Sequence, residues 1–295
     1  MDLTKEALRA WWIQTTGENH YKAALDGDFK VKDTFFYDKL RKLTFELVAD
    51  KVITKVRTKK DGIYRLVDKA DEEIMWWEGE GIDDSKVNLL LPFGLHKAVY
   101  VPRPALILIS GDTNAGKTAI ANQILNINQE KFDDILLLMT EGLDMVKGRM
   151  MNAIPKCPMP PKFRTFRKMN HFEDDVLPNG LTVVDYLRPP NPTSLMSIGE
   201  PLEAIAGVLN KGTGIAVVCL QKPRGERGEA FGGIITQWDA SLAMSIHTTD
   251  TNFVSYLKLN KIKKPLMLDK DLYKLKIRFK ISHGIQLTEL EKVYE

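Results

Sequence analysis

The run Gly111-Asp112-Thr113-Asn114-Ala115-Gly116-Lys117-Thr118 constrains this chain more than any other feature. It reads G-x-x-x-x-G-K-[ST], a glycine turn whose backbone N–H groups can cradle phosphates. Its flanks suit that task. Ala105-Leu106-Ile107-Leu108-Ile109-Ser110 is an apolar stretch of strand length, and Ile120, Ile124 and Ile127 recur at helical spacing just after the turn. A buried strand, a tight turn and a helix start bring amide groups and the positive end of a helix dipole to one point. The bland alternative is a glycine-rich turn that binds nothing.

In a loop of this kind Gly111, Asn114, Ala115, Gly116, Lys117, Thr118 and Ala119 surround the phosphates. Lys117 reaches the β- and γ-phosphates, and the Thr118 hydroxyl ligates Mg2+. ATP and Mg2+ are therefore the expected cofactors.

The 295 residues suit one large domain and a small one, and a composition 44% hydrophobic and 27% charged supplies ample core. A net charge of +3 identifies no class of partner by itself. Two cysteines, Cys157 and Cys219, give neither a metal-binding spacing nor a disulfide framework. With no signal-peptide pattern and no apolar stretch of membrane-spanning length, a cytoplasmic protein is expected.

Residues 1–70 read as helix, helix, hairpin. Leu8, Trp11, Trp12 and Ile13 mark one amphipathic helix; Phe35, Phe36, Leu40, Leu43 and Leu47 mark a second. Val52–Arg57 and Ile63–Val67 flank Asp61-Gly62, a strong hairpin signal. Helices followed by a basic hairpin suggest a winged-helix-like domain over 1–70. There a recognition helix would enter the major groove of a duplex while Lys55, Arg57, Lys59 and Lys60 contact phosphates. The same module could instead hold a protein partner. Seven acids and no base in residues 71–84 indicate a linker over 71–87, ahead of a domain over 88–295.

In that larger region Ala105–Ile109, Ile135–Met139, Leu181–Val184 and Ile215–Leu220 are short apolar runs bounded by polar or turn residues. Buried parallel strands have this form, so the expected class is α/β with both sheet faces covered. Ligands of such sheets sit beyond the carboxyl ends of the strands. Glu141, just past the second run, could polarise a water for attack on the γ-phosphate, or simply cap a helix. Asp185 closes the third run in the manner of a Walker B carboxylate and could hold Mg2+ opposite Thr118. Gln221 closes the fourth and could hydrogen-bond the γ-phosphate, or satisfy a loop backbone. Lys222, Arg224 and Arg227 follow it as a basic loop able to track single-stranded phosphates.

The ordered set GDTNAGKT, LLLMTEG, VVDYL and VVCLQK resembles the RecA-like P-loop ATPase core, in the branch of the DnaB-type replicative hexameric helicases, over roughly residues 90–285. The resemblance implies that Glu141 is the catalytic base and that Gln221 couples nucleotide state to DNA-binding loops. It matches Arg149 to an arginine on the following helix, and Gly232-Gly233 and Asp239 to a loop and a further strand. It makes Lys261, Lys263 and Lys264 the nearest match to a basic finger that reaches a neighbouring subunit's nucleotide. Here the finger is lysine-rich without a clear arginine, and the N-terminal region is not the family's helical collar. Edge-strand protection is the alternative role for those lysines.

The expectation is thus a DNA-dependent, helicase-like ATPase that forms a homo-oligomer, hexameric in that family. It would meet single-stranded DNA in the core, with duplex at the winged helix, and no membrane. An ATP-switched DNA-binding regulator or helicase loader with slow hydrolysis is the other reading. A small-molecule kinase is disfavoured, because Glu141 and Gln221 suit activating water and phosphoryl transfer to a metabolite must exclude it.

Overall fold

A computed structural model describes residues 2–15, 17–26, 29, 34–56, 62–67, 89–191, 194–222 and 236–294. The chain divides into two compact units, Met1–Gly79 and Glu80–Glu295. Among the described residues no helix is long and apolar enough to cross a membrane.

The first unit runs α1 (Lys5–Gln14), β1 (Asn19–His20), α2 (Ala23–Asp26), α3 (Thr34–Ala49), β2 (Ile53–Lys55) and β3 (Ile63–Leu66). Its strands form an antiparallel sheet in the order β1-β3-β2. Thr4 caps α1 by accepting from the Ala7 N–H at 3.1 Å. Leu8 and Trp12, four apart, and Leu40 and Leu47, seven apart, lie on single helix faces and are fully buried with Leu3, Phe29 and Ile53. Ile13 and Phe35, read from the sequence as part of the apolar faces, are instead exposed. The reason is angular: Ile13 sits about 100° round the helix from Trp12, off the stripe that the better-spaced pair defines. The hairpin strands form as expected, while 57–61 at its tip lie outside the described residues.

The second unit is built on a nine-stranded sheet. Its parallel part comprises β5 (Ala105–Gly111), β6 (Ile135–Met139), β7 (Arg164–Arg167), β8 (Leu181–Leu187), β9 (Ile215–Gln221) and β10 (Ala240–Thr248). The antiparallel strands β11 (Val254–Ile262), β13 (Leu275–Ser282) and β14 (Gln286–Tyr294) extend it beyond β10. The full order is β14-β13-β11-β10-β5-β9-β8-β6-β7. Two short strands, β4 (Val99–Tyr100) and β12 (Lys264–Pro265), pair separately.

All four apolar runs read from the sequence are adjacent parallel strands, buried along almost their whole length. Alternate side chains serve two cores. Ile107, Ile109, Leu137, Val183 and Val217 pack with α4 (Lys117–Ile127) through Ile120, Ile124 and Leu125. Leu106, Leu108, Leu138, Val184 and Val218 pack with α6 (Gly199–Leu209) through Leu202, Ile205 and Leu209. Each such side chain contributes about 1.5–3 kcal/mol on burial, so the sheet between two helical layers is a rigid frame for whatever its carboxyl edge carries.

Candidate nucleotide site

Strand register decides what meets at that edge. Gly111, the last residue of β5, stands beside Gln221 at the end of β9 and Ile246 of β10. Met139, the last residue of β6, stands beside Asp185 on β8, and the Thr140 N–H donates to the Asp185 carbonyl at 3.0 Å. Four strands therefore deliver the glycine turn, Glu141, Asp185 and Gln221 to one rim.

The turn itself is held in conformations that suit its sequence. Asn114 has φ 63° and Gly116, the residue before α4, has φ 108°. A Cβ at Gly116 would lie 2.4 Å from Ile281 Cδ1. Helix α4 begins at Lys117 with no side-chain cap, so its first amides face the turn. Lys117 is 8% exposed, and its ammonium donates to the carbonyls of Gly111 at 2.9 Å and Asp112 at 2.7 Å. Burial lowers its pKa, and the nearby Asp185 and Asp112 carboxylates oppose that shift. The amine is thus poised over the turn on two neutral acceptors that an anion could replace.

Thr118 Oγ1 donates to Asp185 Oδ1 at 3.1 Å. Asp185 is 5% exposed; burial raises its pKa, the Thr118 bond and the Arg149 charge lower it, and the Glu141 charge raises it. The Cys219 thiol beside it is fully buried and pushed well up by burial. Glu141 is clasped by Arg149 of α5 (Leu143–Met151), one contact very short and the second 3.3 Å. Gln221 Nε2 donates to Thr113 Oγ1 of the turn at 2.9 Å.

The site opens into a cavity of about 580 Å3 lined by Gly116–Ala119, Glu141 and Arg149 on one side. Phe253 and Lys280–Gly284, the end of β13 and the start of the turn to β14, form the other wall. Sequence reasoning missed that wall. The signal present was the His283-Gly284 turn between alternating stretches, but nothing in it points to the glycine turn far upstream.

Other expected residues sit elsewhere. Lys222 is 3% exposed rather than displayed on a loop; its N–H donates to the Gly111 carbonyl and its ammonium lies 3.2 Å from His247 Nδ1. Burial on the sheet rim removes it from any surface that could meet DNA in this conformation. Arg224, Arg227 and Gly232-Gly233 lie outside the described residues, as do Arg57, Lys59 and Lys60; Lys55 is exposed on β2. Lys261 pairs across from Ala243 on β10, its ammonium held by the Gln237 and Trp238 carbonyls. The Lys263 N–H bonds the Ser241 carbonyl, and Lys264 begins β12. These three lie toward the amino ends of the parallel strands, away from this chain's own glycine turn.

His247 stacks on Tyr256, 4.8 Å between ring centres, and its Nε2 lies 2.9 Å from Ser245 Oγ. Because the Lys222 ammonium can only donate, Nδ1 accepts and the ring is neutral. Burial first, then the Lys222 charge, lowers its pKa from 6.5 to about 4. The unfolded chain therefore binds this proton at a higher pH than the folded one. The associated stability is complete above pH 6.5 and is lost as pH falls toward 4. That loss is at most about 3 kcal/mol, less for a partly solvated ring. Urea unfolding across this range is expected to show a shallower pH slope for His247→Gln than for wild type. An identical slope would remove His247 as its source.

Glycine turn, strand order and the carboxyl-edge set define the fold class as α/β, a RecA-like P-loop NTPase core. No protein-family model matches the sequence, and no curated protein matches it. Among solved structures it is similar to the RadB recombinase at 15% identity, over 65% of this chain and 93% of that one, with a TM-score of 0.49. It is also similar to a KaiC-like protein from the hyperthermophilic archaeon Pyrococcus horikoshii at 16% identity, over 68% and 97%, with a TM-score of 0.49. Likeness at this level assigns no ligand or partner to this chain.

Proposed function

We propose that the second unit binds and hydrolyses ATP and that the chain is a DNA-dependent ATPase of helicase-like build. The observation that carries this reading is the Thr118–Asp185 contact of 3.1 Å beside a buried Lys117. Two hard oxygen donors, one of them a buried carboxylate, fit Mg2+. Thr118 and Asp185 would hold the ion, which would supply positive charge to offset that of the phosphates. Lys117 would exchange the Gly111 and Asp112 carbonyls for phosphate oxygens, and the amides of Gly116–Ala119 would donate to them. Glu141 would orient and deprotonate the attacking water, and Gln221 would report the γ-phosphate through its bond to Thr113.

We assign residues 1–70 as a winged-helix-like module, 71–87 as an acidic linker and 88–295 as the ATPase. The helix order and three-stranded sheet of the first unit support that module. Lys261, Lys263 and Lys264 would serve the nucleotide of another copy in a homo-oligomer. Lys261 would first have to release the Gln237 and Trp238 carbonyls.

One observation favours a second reading, an ATP-switched DNA-binding regulator or loader. Glu141 is engaged by Arg149, and that pairing competes with any water its oxygens would hold. Phosphate release from ATP, without DNA, with single strands and with duplex, separates the two. Strong single-strand stimulation supports the motor; a slow rate indifferent to DNA supports the switch.

A further inference from the structure

We propose that the first unit also holds single-stranded nucleic acid, in the groove bounded by β1, α3 and the paired strands β2 and β3. The groove has a volume of about 420 Å3. Its cations are Lys22, Arg41 and Lys55, and among the described residues that line it none is a carboxylate. Its aromatic wall is continuous. His20 stacks on Tyr21 at 4.9 Å, Tyr21 meets the edge of Tyr64 at 6.4 Å, and the Tyr21 N–H is tied to the Gly62 carbonyl of the hairpin.

Phe45 also lines the groove, 56% exposed, with the Arg41 guanidinium 5.9 Å from its ring centre. The neighbouring Tyr37 is 37% exposed, with the Lys22 ammonium 5.2 Å from its ring. Trp12, Leu40 and Leu47 already fill the core of this unit, so the exposed rings on α3 add little to its stability. Large aromatic faces kept at the surface among cations mark a binding surface.

Spaced negative charges together with flat π faces are the chemistry this groove matches, and nucleic acid supplies both. A duplex offers its phosphates but hides its base faces in the stack. Only unpaired nucleotides present phosphate to Lys22, Arg41 and Lys55 and a base face to Phe45 or Tyr21 at once. An acidic peptide offers the charge without the faces. This goes beyond phosphate contact with duplex and stands on the first unit alone, whatever the second unit hydrolyses.

The test uses the full chain and a short fluorescein-labelled DNA strand of mixed sequence, alone or annealed to its complement, followed by anisotropy. Phe45→Ala is expected to weaken single-strand binding about tenfold and to change duplex binding little. Since Phe45 is exposed, its circular dichroism and melting should match wild type. A second measurement locates the contact independently of the ATPase unit. Irradiation of a strand carrying 5-iodouracil is expected to give cross-links, mapped by mass spectrometry, at Tyr21, Tyr37 or Phe45. Cross-links confined to residues 89–294 would overturn the proposal. So would equal losses for strand and duplex in Phe45→Ala, or displacement of the strand by poly-glutamate as readily as by unlabelled strand.

Discussion

Glu141→Gln is expected to bind ATP as wild type does and to lose turnover by about two orders of magnitude or more, the scale of a lost general base. The amide keeps the size of the side chain and can still accept from Arg149, whose clasp positions it at the end of β6. Only the capacity to take a proton goes. Fluorescent-nucleotide titration and phosphate release, run on one preparation, separate the two quantities. A variant that binds ATP and hydrolyses it at the wild-type rate would remove Glu141 from the chemistry. Arg149 would then be anchoring a structural carboxylate.

Gly116→Ala is the substitution expected to damage the phosphate cradle most. At φ 108° an L side chain is strained, at a cost of about 1–3 kcal/mol. The added methyl would also meet Ile281 Cδ1 at 2.4 Å. Ile281 can turn its terminal methyl away, but the backbone can relax only by re-aiming the peptides that lead into α4. Nucleotide affinity is therefore expected to fall more than tenfold, with a lower urea midpoint. Gly207→Ala is the internal control: it lies in α6 with nothing within 4 Å of its Cβ position. There the change should leave stability equal or raised by about 0.5–1 kcal/mol. Unaltered nucleotide affinity in Gly116→Ala would mean that the observed turn conformation is not the one that binds.

What could be read from the sequence was whatever depends on local chemistry. Leu181–Val184 and Ile215–Leu220 announce buried strands because both faces are covered, and Asp185 and Gln221 end such runs where a parallel sheet presents ligands. The glycine turn states its own geometry. The second wall of the cavity was not legible, since Lys280–Ser282 end the antiparallel strand β13, and Phe253, His283 and Gly284 sit in turns beside strands with polar side chains at alternate positions. Such strands carry no motif, and only closure of the sheet beyond β10 brings them against Gly116. Lys222 misled for a related reason. A lysine between a strand end and a glycine-rich stretch reads as exposed, but the rim of β5 and β10 covers it and its ammonium donates to His247 Nδ1. In the first unit the apolar stripe was visible but its centre was not, which left Ile13 and Phe35 on the wrong side of it.

The central claim is that the turn from Gly111 to Thr118 binds a nucleoside triphosphate for hydrolysis, and the most direct measurement compares ATP hydrolysis by wild type and Lys117→Ala. Removing the ammonium that now rests on the Gly111 and Asp112 carbonyls should abolish turnover under every DNA condition while circular dichroism and melting are kept. Hydrolysis that persists unchanged in Lys117→Ala, or that is absent from wild type with and without DNA, would contradict the account.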